Sequence, residues 1–83
     1  MNSYEEFEGH GVMVISDGSL YEGDFYEGQQ HGHGRMIYYD GRVYDGMFHK
    51  SQRHGKGRLE FTDDTVYEGM FRNDKVDGHG THI

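Results

Sequence analysis

The chain repeats itself every 23 residues. "YEGDF" begins at Tyr21, "YDGMF" at Tyr44 and "YEGMF" at Tyr67. A second signature keeps the same step, with "GHG" at Gly9, "GHG" at Gly32, "GKG" at Gly55 and "GHG" at Gly78. Between them lie "SDGSL", "YDGRV" and "TDDTV", at the same spacing. Met13, Met36 and Leu59 match, as do Ile15, Tyr38 and Phe61. Three signatures recurring together exclude coincidence, and a fixed period of this length makes each unit one module that stacks on copies of itself.

Each unit reads as a β-hairpin. Ser19 to Tyr26 alternates polar and apolar residues with aromatic enrichment, the behaviour of a strand. "EGQQHGH" predicts the turn and Gly34 to Tyr39 the return strand, after which Asp40–Gly41 leads into the next unit. In the third linker Asp63–Asp64 replaces Asp-Gly. Aspartate accepts a left-handed backbone less readily than glycine, so that turn is expected to differ. No segment has a useful 3.6-residue apolar period, and each interior glycine would weaken a helix by about 1 kcal/mol.

The chain has fourteen glycines and no proline, whereas loops and disordered tails use both. Gly23, Gly32, Gly34, Gly46, Gly55, Gly57, Gly69 and Gly78 are therefore read as structural. Strand alternation places Tyr21, Gly23 and Phe25 on one side, with Gly34, Met36 and Tyr38 on the same side of the return strand. Repeated, this gives a face carrying Met13, Ile15, Tyr21, Phe25, Met36, Tyr38, Tyr44, Phe48, Leu59, Phe61, Tyr67 and Phe71. The other face mixes Glu22, Asp24, Arg35, Asp45, Arg58 and Glu68 with an aliphatic seam of Leu20, Ile37, Val43, Met47, Val66 and Met70.

The expected fold is all-β: a single-layer, twisted antiparallel sheet of hairpins forming one domain over residues 1–83. It divides into a half repeat (9–20), two full repeats (21–43 and 44–66) and a truncated one (67–83). A chain of 83 residues buries only about 60% of its unfolded surface, so large rings must supply the core. Parity assigns the two faces but not which of them is concave.

A formal charge of −7 argues against sequence-independent nucleic-acid binding, which needs clustered cations, and disfavours simple attraction to anionic membranes. Protonating the seven histidines would cancel that charge, so it falls steeply between about pH 7 and 5.5. Without cysteine there is no disulfide framework and no thiolate zinc site. The longest aliphatic run, Val12 to Ile15, is far short of the ~20 residues of a membrane-spanning helix. "MNSYEEFEGHG" has neither a basic nor an apolar leader segment, so a cytosolic or cytoskeletal protein is expected.

The unit "YEGDFYEGQQHGHGRMIYYDGRV" resembles a MORN repeat: Tyr-x-Gly-x-aromatic, then Gly-x-Gly, then an Asp-Gly turn. The resemblance covers residues 9–80, with Phe25, Phe48 and Phe71 where Trp is common and Asp64 where Gly is usual. It implies a single-layer sheet of hairpins and a structural or interaction role rather than catalysis. Family members occur in cytoskeletal, ciliary and junctional proteins. Some bind protein segments in a groove, others have been proposed to contact phospholipids, and small stand-alone members are similar in size.

Competing chemistry is weaker. His31, His33 and His54 recur near turns, and His31 and His33 could share one ion. Yet His10, His33 and His79 occupy a repeat position that Lys56 also fills, so solvent-facing turn decoration is the better reading and no metal site is expected. No Gly-x-x-x-x-Gly-Lys-Ser/Thr loop occurs, and the glycines lead into strands rather than helices. No catalytic residue and no cofactor are expected, because an active site is normally unique whereas almost everything here recurs.

Two function classes remain. In the first, a non-catalytic scaffold or adaptor accepts a helix or extended peptide in an aromatic groove. Its contact set is Tyr21, Phe25, Tyr38, Tyr44, Phe48, Phe61, Tyr67 and Phe71: central rings mostly core, exposed ring edges meeting the partner. In the second, a phospholipid-surface binder uses a basic cluster of Arg35, Lys50, Arg53, Lys56 and Arg58. Gly9–Ser16 and "GHGTHI" leave unblunted sheet edges, which predicts homodimerisation or incorporation into a larger assembly.

Overall fold

A computed structural model describes residues 9–82 and, for His79, the backbone alone. The chain forms β1 (Gly9–Val14), β2 (Leu20–Tyr26), β3 (Gln29–Ile37), β4 (Val43–His49), β5 (Gln52–Glu60), β6 (Val66–Arg72) and β7 (Lys75–His82). They make one antiparallel sheet with the strands side by side in chain order, as the sequence predicts.

The turns inside the units are shorter than "EGQQHGH" suggests. Glu27–Gly28, Lys50–Ser51 and Asn73–Asp74 are two-residue turns with both φ angles positive, and the return strand β3 already begins at Gln29. Such turns match the right-handed twist of the strands they join. The remaining length is absorbed inside the strand. Gly23 faces Gly34 and Phe25 faces Gln30, so His31, Gly32 and His33 together oppose Asp24. Gly32, at φ +76, lies in this irregularity, which recurs around Gly55 and Gly78 at φ +88 and +69. The first glycine of each Gly-x-Gly is thus placed where the backbone turns left-handed, a conformation that strains most L side chains.

The linkers between units are three-residue loops. Tyr38 N–H donates to Arg42 O (2.8 Å) and Gly41 N–H to Tyr38 O (2.9 Å). Phe61 and Thr65, Asp64 and Phe61 repeat this pattern at 2.8 and 3.1 Å. The third linker therefore does not differ, contrary to the expectation from Asp-Asp: Asp64 adopts the left-handed conformation (φ 73) that Gly41 adopts at φ 101. Asp63 Oδ1 stabilises the loop by accepting from the Thr65 N–H at 3.1 Å and the Thr65 hydroxyl at 2.6 Å.

The second glycine has another purpose. Gly11, Gly23, Gly34, Gly46, Gly57, Gly69 and Gly80 are paired strand to strand in one unbroken line across the sheet. A Cβ on Gly23 would meet the Gly34 backbone, and one on Gly34 would fall on the Tyr21 ring. The same holds at Gly46 and Gly57 beneath Tyr44.

The sheet bends along this line. Arg53 pairs with Phe48 and Ile37 with Val43, at opposite ends of β4 and roughly 16 Å apart at the usual strand rise. The long Arg53 and Tyr38 side chains meet above the face between them, the guanidinium 5.6 Å from the ring centre. The rings beneath are only 0–5% exposed although the described residues form a single sheet, so the sheet closes over its aromatic face. The curvature that parity left open is thereby fixed.

Inside the bend, Tyr21, Phe25, Met36, Tyr44, Phe48, Leu59, Tyr67 and Phe71 form the core, flanked by Met13, Ile15, Tyr38 and Phe61. These are the residues that alternation assigned to one face. Phe25, Tyr21, Phe48, Tyr44, Phe71 and Tyr67 follow one another edge to face, with centroids 5.2, 5.0, 5.1, 5.1 and 5.4 Å apart. Each such pair contributes about 0.5–1.5 kcal/mol beyond the area it buries.

Candidate interaction surface

Each core tyrosine is anchored at both ends of its ring. The Tyr21 hydroxyl donates to Asp24 O at 2.7 Å, Tyr44 to Met47 O at 2.8 Å and Tyr67 to Met70 O at 3.2 Å. These carbonyls belong to the strand segments just beyond the glycine line, so the ring ties together the two arms of its own strand. Burial pushes the Tyr21 and Tyr44 hydroxyls up to about 12.

Of the eight rings predicted to contact a partner, six are buried: Tyr21, Phe25, Tyr44, Phe48, Tyr67 and Phe71 are 0–5% exposed. The expected exposed edges of these rings are absent, because a bent sheet with interlocking rings seals a core without a second layer. Tyr38 and Phe61, at the linker ends of β3 and β5, remain half-buried. Opposite Tyr38 stands Arg53, which also approaches Phe71 (5.3 Å) and Tyr44 (5.9 Å). Its main-chain N–H donates to Asp74 Oδ1 at 2.8 Å, and its side chain pairs with the same carboxylate at 3.4 Å. Arg42 covers Tyr38 at 4.7 Å. Burial raises the Tyr38 pKa, against the opposing pull of Arg53.

The outer face is built differently. The register aligns Glu22, Arg35, Asp45, Arg58 and Glu68 in one row of alternating charge. Arg58 Nε binds Glu68 at 3.0 Å, and His33 Nε2 lies 2.9 Å from Asp45. A shallow depression of about 420 Å³ is lined by His33, Asp45, Met47, Lys56, Arg58 and Glu68. Of the aliphatic seam expected on this face, Ile37, Met47 and Met70 are exposed and Leu20 and Val43 half-buried, whereas Val66 is buried at 7% exposure.

A glycine line beneath stacked tyrosines, a left-handed glycine two residues earlier and a phenylalanine wedged between tyrosines recur together in each unit. The MORN repeat model matches residues 6–20, 21–41, 44–66 and 67–83. The chain belongs to the MORN-repeat family.

MORN repeats are a non-enzymatic repeat type, generally engaged in protein or membrane interaction. No individual curated protein matches the chain significantly, so membership rests on the repeat pattern itself. Two groupings weighed in the sequence, the basic cluster of the alternative lipid reading and the His31–His33 pair set aside there, do not assemble. The basic cluster is dispersed, since Arg53 is on the inner side against Asp74 while Arg58 is engaged by Glu68 on the outer face. His31 and His33 do not converge, because Gly32 between them has a left-handed backbone: His33 faces Asp45, whereas His31 stacks near Tyr26 and His49. What sequence reasoning missed is this lateral neighbourhood of His31 with His49 and His54. Its only signal was the strand register, which needs the two-residue turn to be placed correctly.

Proposed function

We propose that this MORN-repeat chain is a non-catalytic scaffold or adaptor that binds a protein segment, helical or extended, along the inner side of its bent sheet. The observation that supports it is the division of the predicted contact set. Six rings form a rigid, sealed floor, while Tyr38 and Phe61 keep part of their surface free. In this reading the buried rings act by holding the shape, and Tyr38, Phe61 and Arg53 make the contact. A preformed surface of this kind orders little of itself on binding, which favours affinity. The expected setting is a cytoskeletal or ciliary assembly in the cytoplasm.

The sheet edges provide a second mode of assembly. Among the described residues β1 and β7 have no outer neighbour, and in a seven-stranded antiparallel sheet they run in the same direction. Two copies that keep their inner faces on the same side can therefore extend the antiparallel ladder only by pairing like edges about a twofold axis, β7 with β7 or β1 with β1.

The test is a pull-down with wild type and a Tyr38→Ser/Phe61→Ser variant whose fold is verified by circular dichroism. Loss of one defined partner supports the inner-side reading. Retention by the folded variant overturns it and moves the contact to the outer face or the edges. Capture by anionic vesicles at physiological salt, with no protein partner, would favour the phospholipid-binding alternative.

A further inference from the structure

At the turn end of the outer face, three histidines from three consecutive strands stand in a row. His31 on β3, His49 on β4 and His54 on β5 follow one another with ring centroids 5.3 and 5.5 Å apart. Tyr26 closes the row beside His31 at 5.5 Å. Neither the repeat pattern nor the core requires these imidazoles. The same repeat positions are filled by Tyr26 and Arg72 for His49, and by Asp77 for His31 and His54.

The spacing is that of shared coordination. A borderline dication lies about 2.0–2.1 Å from an imidazole nitrogen, and the ring centre about 1.1 Å further. Two imidazoles at a roughly tetrahedral angle then have centres about 5.3 Å apart. The three strands bring these residues side by side at the turn end, where His49 pairs with Gln52, two residues before His54. Among the described residues no three His, Asp or Glu donors converge on one point, so an ion would be held by two rings at a time.

We propose that the row His31–His49–His54 binds a transition-metal dication of the zinc or nickel class, shared between His49 and either neighbour, with water completing the shell. Ligation needs the neutral imidazoles, so ion and protons compete for the row and binding should strengthen as pH rises. The two arrangements share His49 and exclude each other, which fixes the stoichiometry at one ion per row.

The experiment titrates zinc into the full chain slightly above neutral pH while histidine side-chain NMR signals are followed. The expected result is that His31, His49 and His54 move together, before His10, His33 and His82. His49→Gln should abolish this response. His31→Gln and His54→Gln should each weaken binding only about twofold, because one of two equivalent arrangements survives. The double variant His31→Gln/His54→Gln should again abolish it. These side chains are on the outer face, and thermal melts verify that each variant folds. Zinc taken up first at His10 or His33, binding unchanged in His49→Gln, or a row left unmoved by excess zinc would each overturn the proposal.

Discussion

The inner and outer faces of this sheet are written on alternate residues of the same strands, yet they obey different rules. On β4, Tyr44 and Phe48 are 0% and 3% exposed while Met47 is 39% exposed. The inner face is defined by shape: a ring, a glycine to lie on, and a second ring at right angles. The outer face is defined by pairing of charges at the surface, where exposed ion pairs contribute about 0–1 kcal/mol. A single-layer sheet can have a core if it folds over one of its faces, and the other face is then free to vary. The two faces divide stability from surface chemistry.

That division can be tested from its strongest side downward. Tyr44→Ala removes a fully buried ring from the centre of the aromatic row and should cost about 3–5 kcal/mol, enough to unfold much of a domain this small in chemical denaturation. Gly57→Ala inserts a methyl into the Tyr44 ring at the bend and should cost about 1–3 kcal/mol or more, whereas a surface glycine would not. If Gly57→Ala melts like the wild type, the bend does not depend on the glycine line.

The tyrosine hydroxyls sharpen the contrast through pH. Tyr21 and Tyr44 ionise near 10 when unfolded and only at about 12 when folded, so the native state holds their protons more tightly. The stability this confers is complete below pH 10 and is lost as pH rises toward about 12. Alkaline unfolding monitored by tyrosinate absorbance should fall in that window, and Tyr44→Phe should lessen the pH dependence within it. The smallest effect belongs to the outer face: Met47→Ala should change stability by no more than about 0.5 kcal/mol in the same denaturant assay.

The repeat, the antiparallel hairpins and the membership of the inner face were legible in the sequence because alternation and period are local properties. The glycine line was half-legible: Gly23 and Gly34 were seen as structural, but their alignment with Gly11 and Gly80 depends on register. A bend was expected, but its direction was hidden, since parity carries no sign of curvature; hidden too was how completely it buries rings expected to keep an exposed edge, such as Phe71 at 2%. The turn was misplaced because Lys50–Ser51 and Asn73–Asp74 adopt positive φ without glycine. The functional surface was the least legible part. The rings that look most like contacts are those the fold needs for itself.

The order of the strands has a kinetic consequence. Every strand pairs only with those immediately before and after it in the chain. No pairing has to bring together segments further apart than about one hairpin, so the entropy of loop closure stays small throughout. Folding can start at any turn and spread outward like a zipper, and the chain should fold fast for an all-β protein.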